Sequence, residues 1–269
     1  MVDIVIPYLE QGNDWKLRAT LRGIDTYLRG DYRIVIIGDY PVWLRNVTYF
    51  PHRRDTNQKM VRCYDANSKM LKVIELDAIR DDILVWHDDM LLIREMEVSE
   101  LCGDHYCLQR YTKEHINHLK EYGSRWQSEL LVPTIEHLIK NNMPRYSFET
   151  HVPRHYYKPM LANVFSKHDI LNNNYLYATI YYNEYTVGGI PLRGSKYKAS
   201  FVGYEGPYSL PMDGRTVNTA FKEYTFINWN DAGLTPYLRH RIINNVTTRS
   251  LYEKFDHTKE GSTIEKEGI

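Results

Sequence analysis

The chain lacks any charge imbalance: 34 Lys and Arg stand against 34 Asp and Glu in 269 residues. No global field therefore draws it toward nucleic acid or an anionic membrane. It also has no apolar run near the roughly 20 residues that a membrane span needs. The opening MVDIVIPYL is too short and too poorly flanked for a signal peptide. Cysteine is scarce, with three in all, an odd number without a pairing framework, which suits a reducing compartment. Cys102, His105 and Cys107 lie close together but lack the fourth ligand and tight Cys-x-x-Cys pair of a zinc site, so they read as structural. Internal repeats and low-complexity linkers are missing too. These absences lead to the expectation of a soluble, cytoplasmic protein of a bacterium or a phage-infected host, with no integral membrane segment.

What is present is a globular composition, 43% hydrophobic and 25% charged. A chain of this length buries a core without staples. The zero net charge hides a mild asymmetry, since residues 141–254 hold 13 Lys and Arg against 8 Asp and Glu. The second half is the basic one, and that is a hint about the acceptor side.

The first ninety residues alternate strand and helix patterns. Val2–Pro7 is a short apolar run rich in β-branched residues and stopped by proline, which predicts a buried strand. Asp14 is placed to cap a helix whose apolar positions Leu17, Leu21, Ile24 and Leu28 recur at helical spacing. Tyr32–Gly38 predicts a second buried strand ending in Asp39, and from Lys59 a helical pattern runs through Met70, Val73, Ile74 and Ala78. Ile83–Trp86 predicts a third strand that runs straight into His87-Asp88-Asp89-Met90. Strands separated by helices imply parallel βαβ units in an open sheet with helices on both faces. Such sheets bind ligands outside the carboxyl ends of their strands. Here those ends carry Tyr8 to Gly12, Asp39 and Asp88-Asp89.

Beyond residue 94 the pattern changes. Residues 112–141 read as helical with a break at Pro133, and Tyr175–Tyr185 and Tyr197–Val202 as short strands or loops. Phe226–Trp229 reads as a final strand, Thr235–Asn244 as a short helix and 257–269 as a polar surface tail. The expected organisation is an α/β core over 1–110, an acceptor-facing half of the same domain over 111–256, and the tail.

Asp88-Asp89 is the leading candidate for chemistry. Hard divalent cations prefer carboxylate and water ligands, and a cation of this kind neutralises a diphosphate leaving group. Two acids at a strand's end also serve simply to cap a turn. Asp39 suits a ribose or base contact, and equally a turn before Pro41. His151, in Thr150-His151-Val152-Pro153, suits a third metal ligand, a phosphate contact or an acid/base. Asp231, in Asn228-Trp229-Asn230-Asp231, suits the base that deprotonates an acceptor hydroxyl, with Glu149, Glu184 and Glu205 as competitors. The 23 tyrosines, with Trp126 and Trp229, offer surfaces for stacking on sugars or flipped bases, although most such side chains only pack.

The runs LRATLRGIDTYL, RIVIIGDYPVWL and HDDMLLI resemble the core of the GT-A-type glycosyltransferases, and within them the branch related to the Stealth capsular-polysaccharide sugar-phosphate transferases. His151-Val152-Pro153, Tyr182-Asn183 and SLYEKF at 250–255 are similar to later landmarks of that branch. The resemblance implies a Rossmann-like, mainly parallel open sheet flanked by helices, with an irregular acceptor-binding half. It implies a metal site at Asp88 and Asp89 and a nucleotide contact at Asp39. The expected metal is Mn or Mg, with His151 as a candidate further ligand, and Pro7, Tyr8, Lys69 and Asp88 are expected donor contacts beside Asp39. His151 and Asp231 are the catalytic candidates. His87 stands where that branch has Asn, position 90 is Met, and the branch's N-terminal Trp-Val-Asp is replaced by Ile4-Val5-Ile6-Pro7-Tyr8. These departures favour glycosyl transfer over phosphate transfer. The expected reaction moves a sugar from a nucleotide-sugar donor to a hydroxyl of a surface glycan or of a hydroxymethylated base in phage-type DNA. The alternatives are a Stealth-like sugar-phosphate transferase and a non-catalytic nucleotide- or glycan-binding module.

Overall fold

The structure is a computed structural model that describes residues 1–10, 14–58, 60–103, 105–186, 188–192, 195–201 and 210–254, with Asp231 described by its backbone alone. Gly12, Lys59, Glu205 and the 257–269 tail lie outside the described residues.

The main sheet is built around β1 (Val2–Tyr8), which pairs in parallel with β2 (Tyr32–Gly38) on one side and β4 (Asp82–Val85) on the other. Beyond β2 lies β3 (Thr48–Pro51), also parallel, and beyond β4 an antiparallel edge strand, β6 (Arg154–Tyr157). Both faces are covered, which is why the three central strands β1, β2 and β4 are mainly apolar. Val5, Val35, Ile37 and Val85 share one core with Met70 and Val73 of helix α2 (Val61–Glu75). Ile4, Ile6, Ile34 and Ile36 share another with Leu17, Leu21 and Ile24 of helix α1 (Trp15–Tyr27). A smaller sheet continues from the acidic turn: β5 (Met90–Leu92) runs antiparallel to β8 (Phe226–Trp229), which pairs in parallel with β7 (Lys198–Phe201). Its core includes Trp15 stacked on Trp229 at 5.3 Å. The architecture is thus the expected mixed α/β one, with a parallel-rich central sheet flanked by helices.

Proline does not stop β1, which runs on through Pro7 to Tyr8. The Val5 carbonyl accepts from the Trp86 N–H at 2.9 Å, but pairing with β4 covers only Asp3–Val5. Two residues on, Pro7 faces the same flank where that pairing has ended, so its missing N–H removes no ladder bond. Gly38, opposite Tyr8, has φ +131, and a Cβ there would sit 2.0 Å from the Tyr8 carbonyl oxygen.

Three other expectations are corrected. Asp14 occupies the N-cap position of α1 without capping it. Its carboxylate accepts instead from the Tyr8 hydroxyl and, at 2.7 Å, from Trp43 Nε1. Pro133 does not break the 112–141 region. The break falls after the Lys113–Tyr122 helix, and Pro133 enters the Val132–Lys140 helix directly behind a π-helical segment, Gln127–Leu131. The wider π turn leaves room for the proline ring that a regular turn would not. Tyr177–Tyr185 is a helix rather than strand or loop. Its Tyr-rich stretch has strand-like propensity, but Tyr177 to Asn183 are all buried, and tertiary packing overrides propensity there.

The C-terminal segment is tied to α1 by a buried ion pair. Arg22, 1% exposed, donates from Nε and Nη2 to the two oxygens of Glu253, 2% exposed, at 2.6 and 2.8 Å. Arg18 Nη1 adds a third bond to Glu253 at 3.0 Å. Burial alone would raise the pKa of Glu253, but the bonds and charge of Arg22 outweigh it and hold it below the usual range. Arg22→Ala removes the main partner of this carboxylate, leaving Arg18 and the Ser250 N–H, and is expected to cost about 3 kcal/mol, the lower end for breaking a buried pair, read from urea denaturation at neutral pH. Because the folded-state pKa is depressed, the pair's contribution is full above the ordinary glutamate pKa and is lost as pH falls through the lowered value. The parent's urea midpoint should drop more steeply below about pH 4.3 than that of Arg22→Ala.

Candidate functional site

The carboxyl ends of β1, β2 and β4 lie along one edge of the parallel sheet, where folds of this kind bind ligands. Past β4, His87-Asp88-Asp89-Met90 forms a turn closed by the Met90 N–H donating to the His87 carbonyl at 3.3 Å. The two aspartates are its corner residues, so the turn reading and the functional reading describe the same backbone. Asp88 is half-buried, and its carboxyl is pushed up to about 7, first by desolvation and then by the charge of Asp89, with Lys16 and Lys69 pulling the other way. Like charges this close resist being ionised together.

The donor-side candidates fall into two kinds. Asp39 is half-buried at that edge, and its Oδ2 accepts from the Glu10 N–H at 2.8 Å. Pro7, one residue before the end of β1 and in register with Ile37, is also half-buried. Tyr8 and Lys69 are committed elsewhere. The Tyr8 ring is in the core with its hydroxyl on Asp14. Lys69, 3% exposed, donates to the Tyr8 carbonyl at 3.0 Å and to Asp65 Oδ2 at 2.9 Å. Both hold the end of β1 in place.

Next to the aspartates lies a group of basic side chains, Arg154, His87, His151 and Lys198, of which sequence reasoning singled out only His151. Arg154, 7% exposed at the start of β6, donates from Nη1 to the Phe148 carbonyl at 2.9 Å and from Nη2 to His87 Nε2 at 3.3 Å. Glu149 lies 3.6 Å away. Accepting from Arg154 places the His87 proton on Nδ1, and burial lowers the His87 pKa. The His87 ring stacks on His151 at 5.2 Å. His151 has φ +47 and is exposed on one side, yet desolvation by the surrounding protein, with Lys198 and Arg154, pushes it down to about 3. Lys198 donates to the Thr150 carbonyl at 2.5 Å, and desolvation, opposed by Asp89, lowers its ammonium to about 7. Nothing in the sequence marks Arg154 or Lys198; their partners are fixed only by the antiparallel edge strand and the second sheet.

Among the described residues no group of three or more His, Cys, Asp and Glu is gathered as a metal cage. His151 is not brought together with both aspartates as a third ligand; it sits among the basic side chains. The Asp88-Asp89 pair itself fits a divalent cation that takes its remaining ligands from a bound diphosphate and water, because such a cation removes the conflict between the two charges. Asp231 begins a short 3-10 turn, Asp231–Gly233, just past β8, and its side chain lies outside the described residues. Among the described residues no helix is long and apolar enough to cross a membrane, and Cys63, Cys102 and Cys107 are all free thiols.

No protein-family model and no curated protein matches the chain. Among solved structures it is similar to the apo form of the bifunctional glycosyltransferase WbbM, with TM-score 0.52 and 13% identity. That match covers 92% of this chain and 50% of the other, so the chain spans half the length of WbbM. A galactosyltransferase, LgtC, in complex with donor and acceptor sugar analogues, aligns over 93% of this chain and 98% of its own at 12% identity and TM-score 0.45. The WbbM likeness agrees with the GT-A fold expected from the sequence and speaks to the fold alone.

One test follows from the way β1 ends. Tyr8→Phe keeps the ring in the core and takes a hydroxyl donor from Asp14. It is expected to cost about 1.5–3 kcal/mol, the range for a hydrogen bond to a charged group, measured as a shift in the urea midpoint; an unchanged midpoint would remove the phenol from this role.

Proposed function

We propose that the chain is a metal-dependent glycosyltransferase that moves a sugar from a nucleotide-sugar donor to a hydroxyl acceptor. The observation that carries the proposal is the Asp88-Asp89 turn at the carboxyl end of a central parallel strand, with Arg154 bonded to the adjoining His87 and Lys198 within electrostatic reach of Asp89. Asp88 and Asp89 would hold Mn or Mg, which when bound neutralises the donor diphosphate. Asp39 and the backbone at Pro7 and Tyr8 line the edge where a nucleoside would lie, and Lys69 supports that edge from behind.

Lys198, with Arg154 behind it, supplies positive potential on the side where negative charge grows as the glycosidic bond breaks. His151 stays neutral at pH 7 and therefore serves as a hydrogen-bonding group rather than a charged acid. Asp231, three residues past Asn228, is the proposed base for the acceptor hydroxyl. The chain's zero net charge favours a glycan acceptor over DNA, because phosphate contacts dominate nucleic-acid affinity.

Thermal stabilisation by UDP- and GDP-sugars, with and without Mn, is the direct test, since a ligand of the folded state raises stability by mass action. Asp88→Asn and Asp89→Asn are each expected to abolish Mn-dependent stabilisation and sugar transfer while leaving the ligand-free melting temperature unchanged or raised, because each removes a like-charge repulsion. Normal transfer by both variants would refute the site. For the acceptor, binding to hydroxymethylated duplex DNA should be absent even at low salt. Salt-sensitive binding there would replace the glycan acceptor by a modified base.

A further inference from the structure

The turn that carries Asp88 and Asp89 is gripped from outside on three consecutive carbonyls. Thr20 Oγ1, from α1, donates to the Asp88 carbonyl at 2.7 Å. Asn228 Nδ2, from β8, donates to the Asp89 carbonyl at 3.2 Å. Trp86 Nε1 donates to the Met90 carbonyl at 2.8 Å. Thr20 and Trp86 are fully buried and Asn228 is 4% exposed, so none of these bonds competes freely with water. A turn on a protein surface ordinarily leaves such carbonyls to solvent. Here each peptide plane through the corner is pinned, which fixes the directions in which the two carboxylates leave the backbone.

Two features of α1 argue that the grip is built for the turn. Thr20 lies on the apolar stripe beside Leu17, Leu21 and Ile24. A threonine hydroxyl inside a helix commonly bonds back to its own helix four residues earlier, whereas this one gives its single proton to Asp88. Gly23, nearly one turn further on, marks where α1 meets β5: a Cβ there would sit 2.7 Å from both Leu91 Cδ1 and the Leu92 carbonyl oxygen. The helix lies closer to the strand than any side chain at position 23 permits, and that approach brings the short Thr20 side chain within reach of the turn.

We infer that Thr20 and Asn228 are positioning residues that hold the turn in the geometry presenting Asp88 and Asp89 together to a divalent cation. The inference rests on the cation-binding role proposed for those aspartates. Trp86 also packs edge-on against Phe226 at 5.6 Å in the core, so its replacement would mix two effects, and the test uses the other two.

Thr20→Val keeps the shape and removes the donor, Thr20→Ser keeps the donor, and Asn228→Leu removes the second grip. In the full chain, Mn affinity is measured with Mn alone from the paramagnetic resonance of the free ion, with melting temperature in parallel. Amide exchange is read at Met90, whose N–H closes the turn. Thr20→Val and Asn228→Leu are expected to weaken Mn binding about tenfold, the lower end for losing an outer partner of a metal ligand, and to speed exchange at Met90. Thr20→Ser returns both toward the parent values. Parent-like affinity and exchange in Thr20→Val, or a Thr20→Ser variant as impaired as Thr20→Val, would overturn the inference. A parent that takes up no Mn, with Met90 exchange still following the hydroxyl, would instead overturn the cation role and leave the grip standing.

Discussion

Everything at the candidate site depends on β1 being paired in parallel on both flanks. Parallel strands send their carboxyl ends to one edge, so the pairing alone brings Tyr8, Gly38 and the turn after Val85 to the same side of the molecule. The edge is tight, and its neighbours are chosen to suit. Gly38 must lack a side chain because the Tyr8 carbonyl occupies the space. Pro7 is tolerated because one flank has already opened. Lys69 is buried and gives the Tyr8 carbonyl a second, shorter bond at 3.0 Å beside the long one from the Asp39 N–H at 3.4 Å. A lysine that reads as a donor contact from its position on α2 is thereby committed to the frame.

The second sheet and the edge strand then set the electrostatics. β5 leaves the acidic turn to pair with β8, while β6 sets Arg154 opposite Val85, beside that turn, and β7 carries Lys198. A buried arginine is strongly unfavourable unless its donors are met; Arg154 meets two of them with the Phe148 carbonyl and the His87 ring, beside Glu149, while its Nε is buried without a hydrogen-bond partner. Those bonds dictate the state of His87: it accepts at Nε2 and therefore stays neutral. His151, stacked on it among cations, is kept neutral as well. Positive charge in this group is thus confined to Arg154 and the weakly protonated Lys198, while both imidazoles provide hydrogen bonds without charge.

The strands of the core were legible from sequence because their signals are local. Tyr32–Gly38 and Phe226–Trp229 are strands with the bounds read from their apolar runs, and Asp88-Asp89 follows β4 at the sheet edge as expected. What the sequence concealed depends on contacts far apart in the chain. Tyr177–Tyr185 is helical because its surroundings bury it on nearly every side, which no periodicity in its own residues announces. Asp14 has the right position for a cap, but the hydroxyl and indole that claim its carboxylate come from β1 and the loop after β2. Glu253, inside the SLYEKF landmark, looks like an ordinary surface acid until Arg22 is found 231 positions earlier on the face of α1. One signal was available: Thr20 and Arg22 are polar residues in a helix otherwise closely packed, and each proves to reach out of α1 to a partner more than sixty residues distant.

That reach explains how the acidic turn persists. Two half-buried carboxylates on adjacent residues repel each other, and a free turn would relax by rotating its peptide planes until one acid faced water. Bonds to the carbonyls of Asp88, Asp89 and Met90 from three separate elements remove that escape, and the close approach at Gly23 prevents α1 from backing away. The remaining outlets are protonation, visible in the raised pKa of Asp88, and neutralisation by a cation. A rigid frame around mutually repelling charges costs stability in the empty protein and returns it when a counter-charge binds. The same contacts that make the turn unfavourable alone therefore support the cation-binding role proposed for it.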